Sequence, residues 1–324
     1  MTRIAILDDW QRIARQCADW SALEAKAEIA FFHEGFADED AAAKALADFD
    51  IVMAMRERTA MPASLLSRLS KLRMLAMTGA RAGSIDLAYL VAKGVTVSTT
   101  EGGGGTGSAT AELALGLMLS AVRHIALGDA EMRAGRFQEN VPCGYELAGR
   151  TLGLIGLGRL GGRMAHYGRA LGMEVIAWSQ NLSAEAAKAQ GAALVAKEEL
   201  LARADVVSVH LVLSPRTRGI VAAADIARMK QGAVLINTSR GPLIDEAALV
   251  AAVQARRIVA ALDVYDREPL PAHHPLRKLP NVVLTPHIGY VVTEAMRNFY
   301  RQSIENMLAF IDGKPIRLLQ LPKG

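Results

Sequence analysis

The chain has 324 residues, of which 51% are hydrophobic and 5% aromatic, and this length favours two domains over a single small core. The 37 basic and 33 acidic residues leave a net charge of +4, and the basic residues are scattered, which argues against a nucleic-acid partner. Two cysteines, Cys17 and Cys143, are too few for a disulfide framework or a zinc site, so we expect no metal and a reducing compartment.

The first third of the chain alternates short apolar runs with helical patterns, which is typical of β-α-β units and a parallel sheet. Apolar runs predict strands at residues 3–7, 28–32, 51–55, 74–78 and 95–98. Helical spacing predicts helices at residues 39–47, 62–69 and 85–93. The chain opens on a strand rather than a signal peptide, and its longest apolar helical stretch is shorter than a bilayer span of about 20 residues. We therefore expect a cytoplasmic protein with no membrane partner.

A glycine-rich segment at residues 102–107 precedes a long apolar helix predicted over 109–123. These glycines either connect two domains or also approach a ligand. A second β-α-β series then predicts six strands, at residues 151–155, 174–178, 206–210, 233–237, 259–263 and 282–284. Six strands around a glycine turn describe a complete Rossmann unit. The last helix, predicted over 293–312, leaves too little chain for a third domain, so it must pack on one of the two.

The segment Gly156-Leu157-Gly158-Arg159-Leu160-Gly161 lies between a predicted strand and a predicted helix. That arrangement directs bare backbone N–H groups and the positive end of a helix at one point, where a pyrophosphate can bind. Glycine-rich turns of this kind also occur for steric reasons alone. With both flanking elements in register, the motif predicts a dinucleotide site formed by Gly156, Gly158, Arg159, Leu160 and Gly161.

Three polar side chains follow the carboxyl ends of successive strands in the second series, where ligands bind in open parallel sheets. They are Arg240, Glu268 and His287. Taken singly, they are also compatible with a surface ion-pair partner, a turn residue and a hydrogen-bonded loop histidine. Their occurrence at successive strand ends of one sheet favours a catalytic set near the nicotinamide of a bound cofactor.

Four ordered motifs resemble the D-isomer-specific 2-hydroxyacid dehydrogenase family, nearest its phosphoglycerate dehydrogenase and hydroxypyruvate reductase branch. Besides the glycine turn, they are residues 237–241 (NTSRG), 261–269 (ALDVYDREP) and 285–289 (TPHIG). The resemblance implies an α/β fold of two Rossmann-like, doubly wound parallel-sheet domains with an interdomain active-site cleft. It places the substrate domain at residues 1–101 plus 289–324 and the dinucleotide-binding domain at 102–288. It also implies a homodimer held largely by the cofactor domain.

Hydride transfer to a 2-keto acid requires a cation for the carboxylate and a proton donor beside the carbonyl oxygen. Arg240 suits the first task because its planar guanidinium can bind a carboxylate through two hydrogen bonds. His287 suits the second, since histidine exchanges protons near neutral pH, and Glu268 would orient its ring and favour its protonated form. The resemblance assigns the same three roles to the family's arginine, glutamate and histidine.

Further residues receive roles from their positions beside these motifs. The resemblance puts Asp263 near the nicotinamide, and the same motifs add Thr238, Ser239 and Gly289 to the cofactor site. In the first domain, we expect substrate contacts from Arg56 and from the strand end Gly79-Ala80-Arg81, where backbone N–H groups could hold a carboxylate. Arg81 suggests an additional anionic group on the substrate, but a surface salt bridge explains it equally well.

The strand that normally ends in a ribose-binding acid ends here in Ser179 and Gln180. A missing acid removes the repulsion of a 2′-phosphate, yet no arginine stands at residues 179–181 to attract one. Neutral amides can also bind an unmodified ribose, so Ser179 and Gln180 are expected cofactor contacts. Because NAD is the more frequent cofactor in the family that the chain resembles, we rank NAD ahead of NADP.

Two other functions compete with a keto-acid reductase. Some relatives on this fold act mainly as NADH-responsive binding proteins, but such a sensor need not retain the arginine, glutamate and histidine set. A formate or phosphonate dehydrogenase is the second alternative. Formate oxidation usually goes with glutamine at the position of Glu268, which disfavours it here.

Overall fold

The computed structural model describes residues 1–79, 83–101 and 107–320. The chain divides into two compact units: unit 1 comprises Met1–Gly107 and Val291–Gly324, and unit 2 comprises Ser108–Tyr290. The expectations for Ala80, for Arg81 and for the glycine-rich residues 102–106 lie outside the described residues.

The described part of unit 1 contains a five-stranded sheet in which all neighbouring strands are parallel. The strands are β1 (Thr2–Ile6), β2 (Ala27–Phe31), β3 (Ile51–Ala54), β4 (Met74–Met77) and β5 (Thr96–Thr99), in the order β2-β1-β3-β4-β5. Every residue of β3 and β4 is buried, as expected for central strands that are covered on both faces.

Short helices connect these strands: α1 (Ala14–Cys17), α2 (Ser21–Glu24), α3 (Glu39–Leu46), α4 (Ala63–Leu66) and α5 (Leu87–Ala92). Side-chain caps fix where two of them begin. Asp38 accepts the N–H of Ala41 at the start of α3, and Asp86 accepts the N–H of Tyr89 at the start of α5.

Unit 2 is built on a seven-stranded parallel sheet in the order β12-β11-β10-β9-β6-β7-β8. The strands are β6 (Thr151–Ile155), β7 (Glu174–Trp178), β8 (Ala193–Leu194), β9 (Val206–Val209), β10 (Ala233–Asn237), β11 (Ile258–Leu262) and β12 (Val282–Leu284). The sequence predicted six of these seven. The additional strand β8 has only two residues, too few for an alternating apolar pattern to develop.

The α-helices of unit 2 are α6 (Ala109–Arg123), α7 (Ile125–Arg133), α8 (Arg159–Ala170), α9 (Ala184–Ala189), α10 (Lys197–Arg203), α11 (Ala223–Arg228) and α12 (Glu246–Gln254). Two 3₁₀ segments occur at Gly241–Leu243 and Pro275–Lys278. The sheet is buried on both faces, with Leu154 in one apolar core and its neighbour Ile155 in the other.

The last helix, α13 (Thr293–Ile311), belongs to unit 1. Its buried residues Phe299 and Tyr300 are among the largest fully buried side chains of the chain, and Tyr300 packs edge-on against Trp20. Within the described ranges, no single helix is long and apolar enough to cross a bilayer, although the bent pair α6 and α7 reaches that length and composition together.

The two sheets confirm the predicted α/β class with two parallel-sheet units. The strand order of unit 2 changes direction at β6, since β7 follows it on one side and β9 pairs with it on the other. Ligands of doubly wound sheets bind beyond the carboxyl ends of the strands at such a point. The glycine turn directly follows β6.

Candidate active site

The glycine turn between β6 and α8 is shaped by close backbone packing. Gly156 has a positive φ of 99°, and a Cβ there would lie 2.7 Å from the carbonyl oxygen of His210. A Cβ at Gly161 would lie 2.1 Å from the carbonyl oxygen of Gly156. Only glycine fits at either position.

Gly158 differs from its two neighbours in the motif. It precedes the first residue of α8, Arg159, and among the described residues no heavy atom lies within 4 Å of a Cβ built on it. Leu160 occupies the first turn of the same helix. Because the glycine is not required by contacts of the protein with itself, this is where a ligand could approach the bare backbone.

Two residues that the sequence analysis did not single out support this turn. Gln190 donates from Nε2 to the carbonyl oxygen of Leu157, at 2.8 Å. His210 follows β9, and its backbone N–H donates to Ile155 at 2.8 Å. Its position at the end of the strand beside β6 was the available signal for His210, whereas nothing in the local sequence pointed to Gln190.

His210 has a shielded imidazole. Nε2 lies 2.9 Å from Oγ of Ser208, and Nδ1 has no hydrogen-bond partner in the described part of the chain. Burial lowers the pKa of His210 to about 4, so the ring is neutral at physiological pH.

The turn after β10 carries three of the predicted residues. Asn237 accepts the N–H of Ser239 and donates to the carbonyl oxygen of Arg240, which closes the turn. The hydroxyl of Ser239 donates to Val209, at 2.9 Å. Thr238 is buried, and its hydroxyl has no partner among the described residues. Arg240 donates from Nη1 to the carbonyl oxygen of Ser239, at 2.5 Å.

Asp263, directly after β11, is 1% exposed and holds the loop that follows β12. Its Oδ1 accepts the hydroxyl of Thr285 at 2.6 Å and the N–H of Ile288 at 2.8 Å, and its Oδ2 accepts the N–H of Gly289 at 2.9 Å. Burial raises the pKa of Asp263, while these hydrogen bonds act in the opposite direction. The carboxylate expected near the nicotinamide therefore also fixes the backbone around His287.

Glu268 and His287 form a direct pair. Nδ1 of His287 lies 2.5 Å from Oε2 of Glu268, and the two side chains are 16% and 30% exposed. Oε1 of Glu268 accepts the N–H of Tyr265 at 2.9 Å. His287 has a positive φ of 52°, a conformation that few non-glycine residues adopt and that surrounding contacts must maintain.

The remaining predicted cofactor residues lie at other strand ends of the same unit. Ser179 and Gln180 follow β7; Ser179 is half-buried and its carbonyl oxygen accepts the N–H of Leu182, whereas Gln180 is exposed. Gly289 donates to Asp263, and its carbonyl oxygen accepts the hydroxyl of Thr110 from the first turn of α6, at 2.9 Å.

Three observations indicate that the residues around the glycine turn can hold a nicotinamide dinucleotide. The backbone at Gly158 is open to approach, and α8 begins beside it, so that the positive end of the helix dipole lies at the same point. The polar atoms Nδ1 of His210 and Oγ1 of Thr238 are shielded from solvent without a partner in the described chain. Buried polar atoms of this kind normally have a hydrogen-bond partner, which a ligand could provide.

In unit 1, the structure brings two of the predicted substrate residues together. The guanidinium Nη1 of Arg56 would lie 3.5 Å from a Cβ on Gly79, and both residues have positive φ angles, 56° and 78°. The N–H of Arg56 donates to Thr78, and the N–H of Gly79 donates to Thr100. The Gly79 amide, expected to be a carboxylate donor, is thus already engaged by the side chain of Thr100, directly after β5.

Comparison with known proteins identifies the family. Residues 115–289 match the family described as D-isomer specific 2-hydroxyacid dehydrogenase, NAD binding domain. The chain is 36% identical to the D-3-phosphoglycerate dehydrogenase of Archaeoglobus fulgidus, over 81% of this chain and 50% of that protein. It therefore spans about half the length of that relative. It is also 36% identical to the glyoxylate reductase of Aeropyrum pernix, over 77% of this chain and 76% of the relative.

A solved structure supports the assignment over the whole length. The phosphoglycerate oxidoreductase from Vibrio cholerae O395 superposes with a TM-score of 0.90 at 36% identity, over 97% of this chain and 100% of that chain. The two parallel sheets thus agree in fold with a solved structure that covers nearly the whole chain. The chain belongs to the D-isomer-specific 2-hydroxyacid dehydrogenase family.

Proposed function

We propose that this protein is an oxidoreductase that transfers a hydride between NAD(P)H and C2 of a small 2-keto acid, or the reverse from the D-2-hydroxy acid. The observation that carries the proposal is the pair of Glu268 and His287, held at 2.5 Å on the same sheet edge as the glycine turn. An acid-base pair beside a dinucleotide site is what reversible reduction of a carbonyl group requires.

In this proposal, Arg240 binds the substrate carboxylate and polarises the adjacent carbonyl group. The reduced nicotinamide, when bound, supplies the hydride. His287 gives a proton to the carbonyl oxygen through Nε2, since Nδ1 faces Glu268. Glu268 keeps the ring in one orientation through the contact of its Oε2 with Nδ1. From unit 1, we propose Arg56, beside Gly79, as an additional substrate cation.

We assign cofactor binding to unit 2 and rank NAD ahead of NADP. The pyrophosphate would lie on Gly158 and the first turn of α8, formed by Arg159 and Leu160. Ser179 and Gln180 would hydrogen-bond the adenosine ribose. Measuring KM for NADH and NADPH tests the ranking, and the variant Ser179→Asp should raise KM for NADPH by repulsion of the 2′-phosphate while retaining NADH.

The central experiment is an assay of glyoxylate, hydroxypyruvate, pyruvate and larger 2-keto acids with each reduced cofactor. The wild-type protein should reduce at least one of them, and His287→Ala should lose on the order of 10²-fold or more in kcat/KM. The same variant should bind NADH with unchanged affinity. Tight NADH binding without reduction of any acid would instead favour a cofactor-responsive binding protein.

We also propose that the protein is a homodimer formed through unit 2. Three large apolar side chains on α7 and the segment after it are strongly exposed: Ile125 at 55%, Met132 at 57% and Phe137 at 71%. Exposed apolar side chains grouped in one segment favour a protein contact surface. Sedimentation should give twice the mass of one chain, and Phe137→Glu should shift the equilibrium towards the monomer.

A further inference from the structure

Tyr265 lies three residues after the end of β11 and is 8% exposed. It contacts all three segments that carry the proposed catalytic residues, although the proposed mechanism gives it no task. These contacts use different parts of the residue: its backbone N–H, its backbone carbonyl group and its side-chain hydroxyl.

The first contact is to Glu268. The N–H of Tyr265 donates to Oε1 of Glu268 at 2.9 Å, while Oε2 of the same carboxylate faces His287. Both carboxylate oxygens therefore have fixed partners. The N–H restrains the rotation of the carboxylate that orients the histidine ring.

The second contact is to the segment of His287. The hydroxyl of Tyr265 lies 2.9 Å from the carbonyl oxygen of Thr285 and 3.2 Å from that of Leu262. A hydroxyl has one proton, so the shorter contact is the main hydrogen bond. Burial raises the pKa of Tyr265, which keeps the hydroxyl a donor at physiological pH.

This bond bears on the backbone conformation of His287. Tyr265 holds the chain two residues before His287, and Asp263 holds the N–H groups of the two residues after it, Ile288 and Gly289. A positive φ at a histidine persists only where neighbouring contacts determine it. Along the chain, the Tyr265 hydroxyl holds the backbone of Thr285 before the strained residue, whereas Asp263 holds the side chain of Thr285 and the backbone after it.

The third contact is to the segment of Arg240. A Cβ at the next residue, Gly241, would lie 2.1 Å from the carbonyl carbon and 2.3 Å from the carbonyl oxygen of Tyr265. The chain after Arg240 therefore packs directly on the backbone of Tyr265. Glycine at residue 241 is what allows this approach.

We infer that Tyr265 is a positioning residue for the reaction, and that its hydroxyl keeps His287 correctly placed relative to Glu268 and Arg240. This inference rests on the proposed function. Tyr265 acts through the three segments that it joins rather than by touching the reacting atoms. The hydroxyl is the part that a single substitution can remove, because the other two contacts come from the backbone.

The variant Tyr265→Phe removes the hydroxyl and keeps the ring and the backbone N–H. We expect kcat for keto-acid reduction to fall about fivefold to tenfold, as for loss of one buried hydrogen bond, with KM for NADH unchanged. Tyr145→Phe makes the same change at a tyrosine of unit 2 whose ring packs on Arg150, and kcat should stay at the wild-type value.

The solvent deuterium isotope effect on kcat separates positioning from a structural role. Displacement of His287 slows its proton transfer to the substrate, so the isotope effect should increase in Tyr265→Phe. A variant that is only less stable would show a lower melting temperature with the isotope effect of the wild-type protein. Wild-type values of both kcat and the isotope effect in Tyr265→Phe would overturn the inference.

A second measurement does not depend on turnover. In ¹⁵N-histidine-labelled protein, the resonance of His287 is assigned by its loss in His287→Ala. We expect it to broaden or move in Tyr265→Phe and to stay in place in Tyr145→Phe. An unchanged resonance in Tyr265→Phe contradicts the inference even if no keto acid is reduced, whereas the absence of any reduction by the wild-type protein contradicts only the proposed function.

Discussion

Glu268 holds His287 through one carboxylate oxygen, Oε2, which lies 2.5 Å from Nδ1 of the imidazole. Because the other oxygen accepts a backbone N–H, the carboxylate has one orientation in which both bonds are made. The proposed acid-base group is therefore oriented by a partner that is itself anchored.

Substituting Glu268 with glutamine should lower kcat for keto-acid reduction by about 10-fold to 100-fold. The amide keeps the shape of the side chain but loses its negative charge, and a hydrogen bond to a charged group contributes about 1.5–3 kcal/mol. Steady-state kinetics with saturating NADH measure the effect. Glu246→Gln is the matched control, since Glu246 lies 3.6 Å from another histidine, His274. Equal losses in both variants would contradict the proposed role of Glu268.

Replacing Arg240 with lysine should reduce kcat/KM for the keto acid roughly 10-fold to 100-fold. Lysine keeps the positive charge but cannot form the two parallel hydrogen bonds of a guanidinium to a carboxylate. Inhibition by a non-reducible carboxylate such as oxamate should weaken by a similar factor. Arg228→Lys, at an exposed arginine whose Nη1 donates to the carbonyl oxygen of Ala224 in its own helix, controls for the chemical change. Unaltered keto-acid kinetics in Arg240→Lys would rule out carboxylate binding by this residue.

The variant Gly158→Ala should fold normally and bind NADH at least tenfold more weakly. Among the described residues, no heavy atom lies within 4 Å of the added methyl group, so the protein itself tolerates it. A bound pyrophosphate would need the same space. Thermal unfolding and fluorescence titration with NADH measure the two properties separately. Wild-type NADH affinity in Gly158→Ala would show that the dinucleotide does not approach this glycine.

Gly161→Ala provides the contrasting case within the same turn. Its methyl group would lie 2.1 Å from the carbonyl oxygen of Gly156, so the backbone must shift. We expect both the melting temperature and the NADH affinity to fall in this variant. Gly158→Ala should therefore weaken NADH binding without lowering the melting temperature, whereas Gly161→Ala should lower both the NADH affinity and the melting temperature.

His210 should make the protein less stable as the pH falls below 6.5. Its pKa is about 4 in the folded protein and 6.5 in the unfolded chain, so the unfolded chain binds more protons between these values. The free energy of unfolding should therefore decrease from pH 6.5 to pH 4, by up to about 3 kcal/mol from this residue. Urea unfolding of the wild-type protein and of His210→Gln at several pH values measures it. Identical pH slopes for the two proteins would contradict the prediction.

The sequence alone was sufficient to predict the glycine turn and every strand of unit 2 except β8. The predicted strands of unit 2 at 151–155, 174–178 and 233–237 coincide with β6, β7 and β10, because apolar runs bounded by turns are a local signal. The helix predicted over 109–123 likewise coincides with α6. The two-residue strand β8 was missed, since it pairs only with β7 at the sheet edge and carries no pattern of its own.

In the candidate site, the sequence likewise predicted the residues but not their contacts. Residues after strand ends could be named from the sequence, because the carboxyl ends of parallel strands share one edge. Which atoms meet there could not be named: the bond of Gln190 to Leu157 joins residues 33 positions apart. Asp263 shows the same limit, since its contacts with the loop after β12 span 22 to 26 positions.

What the sequence determined by itself was the type of unit and the identity of the polar groups at its edge, since both depend on short-range periodicity and on motifs. The tertiary structure decided the partners: His287 against Glu268, Asp263 against the backbone beyond His287, and Tyr265 against the segments around it. These pairings arise because packing brings distant strand ends within hydrogen-bond reach, and a local pattern carries no information about that distance.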